Sequence, residues 1–192
     1  MKRSAFIGLS LIPVGLILLL SIFAKERLLG AKELPVLGPA PQFELTNTES
    51  QTFSSDTLKG KVWVADFVFT TCAGPCPVMT ENLAWIHRSY LLEKEVALVT
   101  VTVNPDYDSP KVLKEYAAKH QADTASWHFL TGTKEAIHDL AHKGFKLGDP
   151  ENPVFHSPHM ALVDAQGQIR GYYNGTDDKE IKRLFKDIAR LL

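Results

Sequence analysis

At 192 residues and 21.4 kDa the chain has room for one domain of ordinary size plus an appendage. Its composition, 45% hydrophobic and 22% charged with 21 Lys and Arg against 22 Asp and Glu, is that of a chain with a core and excludes extended disorder. A net charge of −1, with no basic run beyond the N-terminus, argues against a nucleic-acid partner, and two cysteines are too few for a disulfide-stapled scaffold.

Ser4 to Ala24 is a run of 21 residues without a charge, preceded by Lys2 and Arg3 and followed by Lys25, Glu26 and Arg27. About 20 apolar residues cross the ~30 Å hydrocarbon core of a bilayer. A cleaved signal peptide has the same charged start but needs small residues at its exit, and Ile22-Phe23-Ala24 puts a bulky Ile there. This favours an uncleaved signal anchor over residues 1–28: one transmembrane helix in the cytoplasmic membrane, with the C-terminal part outside the cytoplasm. Residues 29–42, with three Pro and two Gly, read as a tether, and residues 43–192 as the folded domain.

Within the domain, strand-like and helix-like segments alternate. Phe43 to Thr46 and the turn-rich stretch to Ser55 read as a short hairpin region. Lys61 to Thr70 (KVWVADFVFT), nearly all β-branched, aromatic or Ala with a single Asp, suits a central strand buried on both faces. Pro77 to Leu92 carries a helical stripe of Val78, Met79, Leu83, Ile86 and Tyr90. Val96 to Val103 is a second buried strand, Ser109 to Lys119 opens with the helix start Ser-Pro, and Trp127 to Leu130 is a short strand before a helix over Lys134 to His142. Met160 to Val163, the turn Ala165-Gln166-Gly167 and Ile169 to Tyr173 form a hairpin, and Asp177 to Leu192 a closing helix. This order predicts a thioredoxin-like α/β sandwich, a central mixed sheet flanked by helices.

Cys72 and Cys76 (TTCAGPCPVM) follow the C-terminal end of the first central strand, where open α/β sheets place their ligand crevice. Pro75 and Pro77 interrupt helix between the cysteines and set Cys76 at the cap of the helix beginning at Pro77. The positive end of that helix favours thiolate, the form that attacks disulfides and binds soft metals. An inert structural disulfide is the alternative in an oxidising compartment. Thioredoxin-type oxidoreductases have two residues between their cysteines, and this chain has three. The wider pair lets both sulfurs bind one ion. Zinc asks for four ligands, whereas monovalent copper is satisfied by two thiolates and an imidazole.

Of the seven histidines, His87, His120, His128, His138 and His142 fall on polar helix faces or at a strand start and read as solvated or capped. His138 and His142, at i and i+4, lack an acidic neighbour that would complete a metal motif. His156 and His159 (VFHSPHMALVD) sit just before the hairpin strand, and one of them should face the thiols.

The strings TTCAGPCPVM, VTVNPDYDSPKVLKEYAAKH, FLTGT and FHSPHMALVDAQGQIRGYYNG resemble, in order and spacing, the Sco/SenC family of membrane-anchored copper chaperones, from about Pro41 to the C-terminus. The resemblance implies copper held by Cys72, Cys76 and His156, since the family's His stands six residues before Leu162-Val163 and eleven before Gly167. It implies delivery of copper for the dinuclear copper centre of cytochrome c oxidase, with the oxidase's copper-bearing subunit or other copper chaperones as partners. Where the family often has Asp this chain has Asn104, in Asn104-Pro105-Asp106-Tyr107-Asp108. Asp108 keeps the second acidic position and either orients a ligand or is a solvated loop residue. Pro158 matches the place of the thioredoxin cis-proline, which guides disulfide substrates. A second function class therefore stands beside the metallochaperone: a thiol–disulfide oxidoreductase with Cys72 and Cys76 as its redox-active pair.

Overall fold

The computed structural model describes residues 33–147 and 157–192. The expected anchor over residues 1–28 and the expected ligand His156 lie outside the described residues. Among the described residues no helix is long and apolar enough to cross a membrane.

The chain enters along a sheet edge. Strand β1 (Gly38–Pro39) is followed by the hairpin of β2 (Glu44–Asn47) and β3 (Thr52–Ser54) and a 3-10 turn over Ser55–Leu58. The central strand β4 (Val62–Val68) is buried at all seven positions, as its lack of alternation predicts. Helix α1 (Cys76–Ser89) carries the chain over the sheet to β5 (Val96–Thr102), parallel to β4 with Ala65 opposite Val99. Helix α2 (Pro110–Lys119) starts as its sequence dictates: Pro110 occupies the first turn and the Ser109 hydroxyl accepts from the Val112 N–H. It leads to β6 (Trp127–Thr131), parallel to β5.

Helix α3 (Lys134–Asp139), capped by Thr133, does not continue to His142 as a regular helix; it widens into a π-helical turn over Leu140–Gly144. The sequence periodicity is blind to this change, since i+4 and i+5 apolar positions both fall on the buried side. Strand β7 (His159–Val163) returns antiparallel to β4 and turns into β8 (Gln168–Asn174). Gly167 takes a φ of +74°, and Asp164 accepts from the Gln166 and Gln168 N–H groups, so the turn is fixed by residues suited to it. Helix α4 (Asp178–Leu191), capped by Asp177, closes the chain.

The described strands form one mixed sheet in the order β1-β8-β7-β4-β5-β6-β2-β3. One face packs Trp63, Ala65 and Phe67 against Ile137 of α3 and Leu140 and Phe145 of the turn that follows it. Met79, Leu83 and Ile86 of α1 and Leu184 and Ile188 of α4 are buried, with Asp66 on the alternate side of β4. The expected thioredoxin-like sandwich is thus present. Part of the stretch expected as a tether is not free chain: from Pro35 onward it is fastened to β8. Leu37 and Ala40 donate to the Ile169 and Gly167 carbonyls at 2.8 Å each, and Arg170 Nε donates to the Pro35 carbonyl. An edge strand offers unpaired backbone groups, and a Pro/Gly-rich segment can use them at the few positions where it keeps its N–H.

Candidate functional site

Phe69 to Pro75 form the loop that leaves β4. The Cys72 N–H closes a turn onto the Phe69 carbonyl at 3.1 Å, and the Gly74 N–H donates to Cys72 Sγ at 3.3 Å. Cys72 is half-buried and Cys76 has 1% of its surface exposed; both are free thiols. Helix α1 begins at Cys76 itself, with Pro75 in the cap position, one residue earlier than the sequence suggests. The two thiols interact directly, so they converge as the spacing requires.

The expectation that the helix terminus favours a Cys76 thiolate is overturned. Burial pushes the Cys76 thiol well up, and the Cys72 thiol beside it adds to the shift. A dipole effect limited to the first turn does not offset the loss of water around the sulfur. Cys76 is therefore protonated until an ion or a bond to sulfur replaces the proton, and coordination by a cation does this directly.

Asp108 is no solvated loop residue. It is fully buried, and its carboxylate accepts from the Thr70 N–H at 3.0 Å, from the Thr70 hydroxyl, and from the Thr102 hydroxyl at 2.5 Å. One carboxylate thus ties the exit of β4, two residues before Cys72, to the exit of β5. Buried polar groups are kept where hydrogen bonds satisfy them, and this side chain accepts three.

Asp66 is the single charge in the β4 sequence. It is fully buried, accepts from the Thr100 hydroxyl at 2.6 Å, and its Oδ2 has no hydrogen-bond partner. Thr100 is in turn held by Trp127 Nε1 at 2.9 Å. Burial raises the Asp66 carboxyl to about 7, and its charge contributes to the upward push on Cys76. Thr80 donates to the Cys76 carbonyl at 2.9 Å and lies 2.7 Å from the Tyr116 hydroxyl, whose phenol burial raises to about 12. Thr70, Thr80, Thr102 and Tyr116 carry no sequence signal, because their partners lie up to 38 positions away.

The entry to β7 forms the opposite rim. The pairing of Ala161 with Ala65 runs the start of β7 toward the end of β4 that leads to Cys72. His159 opens β7, with Nδ1 2.7 Å from the Ser157 hydroxyl. The Pro158 carbonyl accepts from the Gly175 N–H at 2.7 Å, and Asn82 of α1 donates to the Gly175 carbonyl at 2.8 Å. No peptide bond among the described residues is cis, so Pro158 lacks the form that the thioredoxin comparison implies. His87 is buried, 3.0 Å from Ser126, rather than solvated. His120 pairs with Glu81 at 2.9 Å.

Known proteins of similar sequence and shape converge on one group. The SCO1 protein homolog of Bacillus subtilis is 32% identical over 76% of this chain and 79% of its own length. A SCO1/SenC family lipoprotein of Bacillus anthracis, 35% identical, superposes with a TM-score of 0.72 over 80% of this chain and 95% of its own. BsSco, a member of the Sco family of cytochrome c oxidase assembly proteins in which a disulfide switch is identified, is 31% identical with a TM-score of 0.71, over 82% of this chain and 96% of its own. Copper-bound ScoI of Bradyrhizobium japonicum, 20% identical over 80% of this chain and 99% of its own, shares the fold with a TM-score of 0.65. The SCO1/SenC family model matches residues 37–192, a span that takes in the converging thiols, the Asp108 tie and the β7 rim, and the chain belongs to that family.

Proposed function

We propose that the protein is a copper metallochaperone, anchored in the cytoplasmic membrane by residues 1–28 with its thioredoxin-like domain outside the cytoplasm. It holds copper between Cys72, Cys76 and His156 and delivers it for the dinuclear copper centre of cytochrome c oxidase. The observation that carries this reading is the pair of interacting thiols on a loop fixed by a buried carboxylate. Two soft sulfurs at one point suit monovalent copper, and an imidazole completes a three-coordinate site. Copper-bound ScoI and the assembly role of BsSco support the cargo and its destination.

The same thiols support a second role as a disulfide switch, the feature identified in BsSco. Sulfurs bonded to each other have no thiolate charge to give a metal, so oxidation of Cys72 and Cys76 ends copper binding. Thiol–disulfide exchange with target cysteines remains the alternative function.

The test is copper titration of the full chain in detergent. The reduced protein should bind copper at the thiols and the oxidised protein should not. His156→Ala should weaken that binding strongly while disulfide exchange, which needs only thiols, persists. His159→Ala serves as the control. Strong loss with His159→Ala and none with His156→Ala moves the ligand by three positions. Unchanged copper affinity in both, with disulfide exchange retained, favours the oxidoreductase. A reporter fused after Leu192 tests the topology: activity confined to the cytoplasm would reject the anchor reading.

A further inference from the structure

His138 and His142 lie on α3 and on the π-helical turn that continues it after β6. The geometry points to a second metal site there: we propose that their two imidazoles together bind a borderline divalent cation, Cu2+ by preference.

The i, i+4 spacing puts both side chains on one face of the helix, and the ring centroids stand 5.8 Å apart with 40° between the planes. One ion can lie between two rings so placed. The carboxylate that the sequence did not make evident is Asp139: its Oδ1 is 3.7 Å from His138 Nδ1 and 2.8 Å from Lys143 Nζ. Lys143 Nζ pairs with that carboxylate and keeps it beside the His138 ring. The carboxylate stands on the Nδ1 side of His138, so Nε2 is the ring nitrogen left to take an ion, the arrangement found at many metal-ligating histidines.

His142 supplies the independent observation. Its Nδ1 is buried and has no hydrogen-bond partner. With Nδ1 turned into the protein, Nε2 is the ring nitrogen left to take an ion. His142 also sits inside the π-helical turn, where the Phe145 N–H reaches the Leu140 carbonyl at 2.9 Å and the backbone is widened by one residue. Single π turns interrupting helices occur frequently at functional sites. Phe145, buried against Trp63 and Phe67, anchors the turn to the core and fixes where His142 stands.

The ion class follows from the donors. Two imidazoles with a nearby carboxylate suit Cu2+, Zn2+ or Ni2+, and among these nitrogen donors bind Cu2+ most tightly. Monovalent copper prefers the sulfurs of the cysteine loop.

The experiment separates this site from the thiols by removing them. The full chain carrying Cys72→Ser and Cys76→Ser, in detergent, is titrated with CuSO4 and with ZnCl2, and Cu2+ is followed by electron paramagnetic resonance. The expected result is one bound Cu2+ with nitrogen hyperfine splitting, and Zn2+ that competes. Adding His138→Gln or His142→Gln should lower the Cu2+ affinity at least tenfold and remove that signal, while His120→Gln, at a histidine hydrogen-bonded to Glu81 elsewhere, should change neither. Circular dichroism melts of each variant verify that it is folded. No Cu2+ bound by the thiol-free chain, or binding indifferent to both His138→Gln and His142→Gln, overturns the proposal without touching the copper reading at Cys72 and Cys76.

Discussion

The Asp108 carboxylate reaches across 38 positions of sequence to hold both the backbone and the hydroxyl of Thr70, at the mouth of the loop that carries Cys72. Asp108→Ala leaves these donors and the Thr102 hydroxyl buried without an acceptor, which should cost on the order of 3 kcal/mol of stability. Asp108→Asn keeps the shape and part of the acceptor capacity and should cost less. Both variants should bind copper more weakly than wild type at equal foldedness, as measured by urea unfolding and competitive copper titration. Copper affinity unchanged in Asp108→Asn would mean that the Thr70 tie is structural alone.

The two cysteines should react in a fixed order. Cys72 is half-buried on the loop, whereas Cys76 is buried and its thiol is pushed up. At fixed pH each unit of upward shift cuts the thiolate fraction about tenfold. In single-cysteine variants, Cys76→Ser should alkylate with iodoacetamide at neutral pH at least about ten times faster than Cys72→Ser. In mixed-disulfide trapping, Cys72 should be the residue captured. Equal rates would show that the loop opens faster than the reagent attacks.

How much of this was legible in the sequence depended on the range of each interaction. The strands, the Ser109 and Asp177 caps and the Gly167 turn follow from residues a few positions apart, and each stands where local chemistry puts it. The cysteine loop was legible for the same reason. The Asp66–Thr100 and Asp108–Thr70 contacts were not, because a carboxylate in a strand or loop shows nothing of what will lie across the sheet. The Cys76 expectation failed because burial is a tertiary quantity, and it exceeded the helix-terminus effect that spacing suggested. The docking of residues 35–40 onto β8 was hidden by the Pro and Gly that made them look like linker.

Asp66 predicts a pH dependence of stability. Its carboxyl rises from 3.8 to about 7 on burial, so between these values the folded state holds a proton that the unfolded state has released. The linkage therefore has stability full below pH 4, falling as pH rises, with the loss complete above pH 7; over the whole window it is on the order of 4 kcal/mol. Asp66→Asn removes the titration while still accepting from Thr100. Urea unfolding of the reduced protein at pH 5 and pH 8 should show a smaller difference in Asp66→Asn than in wild type. An identical difference in both would place the Asp66 carboxyl in contact with water.

Gly175 predicts how the β7 rim is seated. Its N–H holds the Pro158 carbonyl and its own carbonyl is held by Asn82, so one residue fastens the segment just before β7 to helix α1. No side chain fits there: a Cβ would stand 2.6 Å from Met160 Cε, 2.9 Å from Met79 Cγ and 3.2 Å from the Pro158 oxygen. Met160 Cε is the end of a flexible chain and can yield, but Met79 Cγ lies near the backbone of a fully buried residue and the Pro158 oxygen is backbone. Gly175→Ala should therefore cost about 1–3 kcal/mol, the range for overpacking, and move Pro158 and the chain that precedes it. Asn82→Ala removes only the anchor to α1 and should cost about 1 kcal/mol, the usual net value of one hydrogen bond. Copper titration then separates packing from position. If the segment before β7 carries a ligand, Gly175→Ala should lose more copper affinity than a core variant of similar instability, such as Ile137→Val on α3. Equal copper affinity in the two would leave the seat of Pro158 without a part in holding the ion.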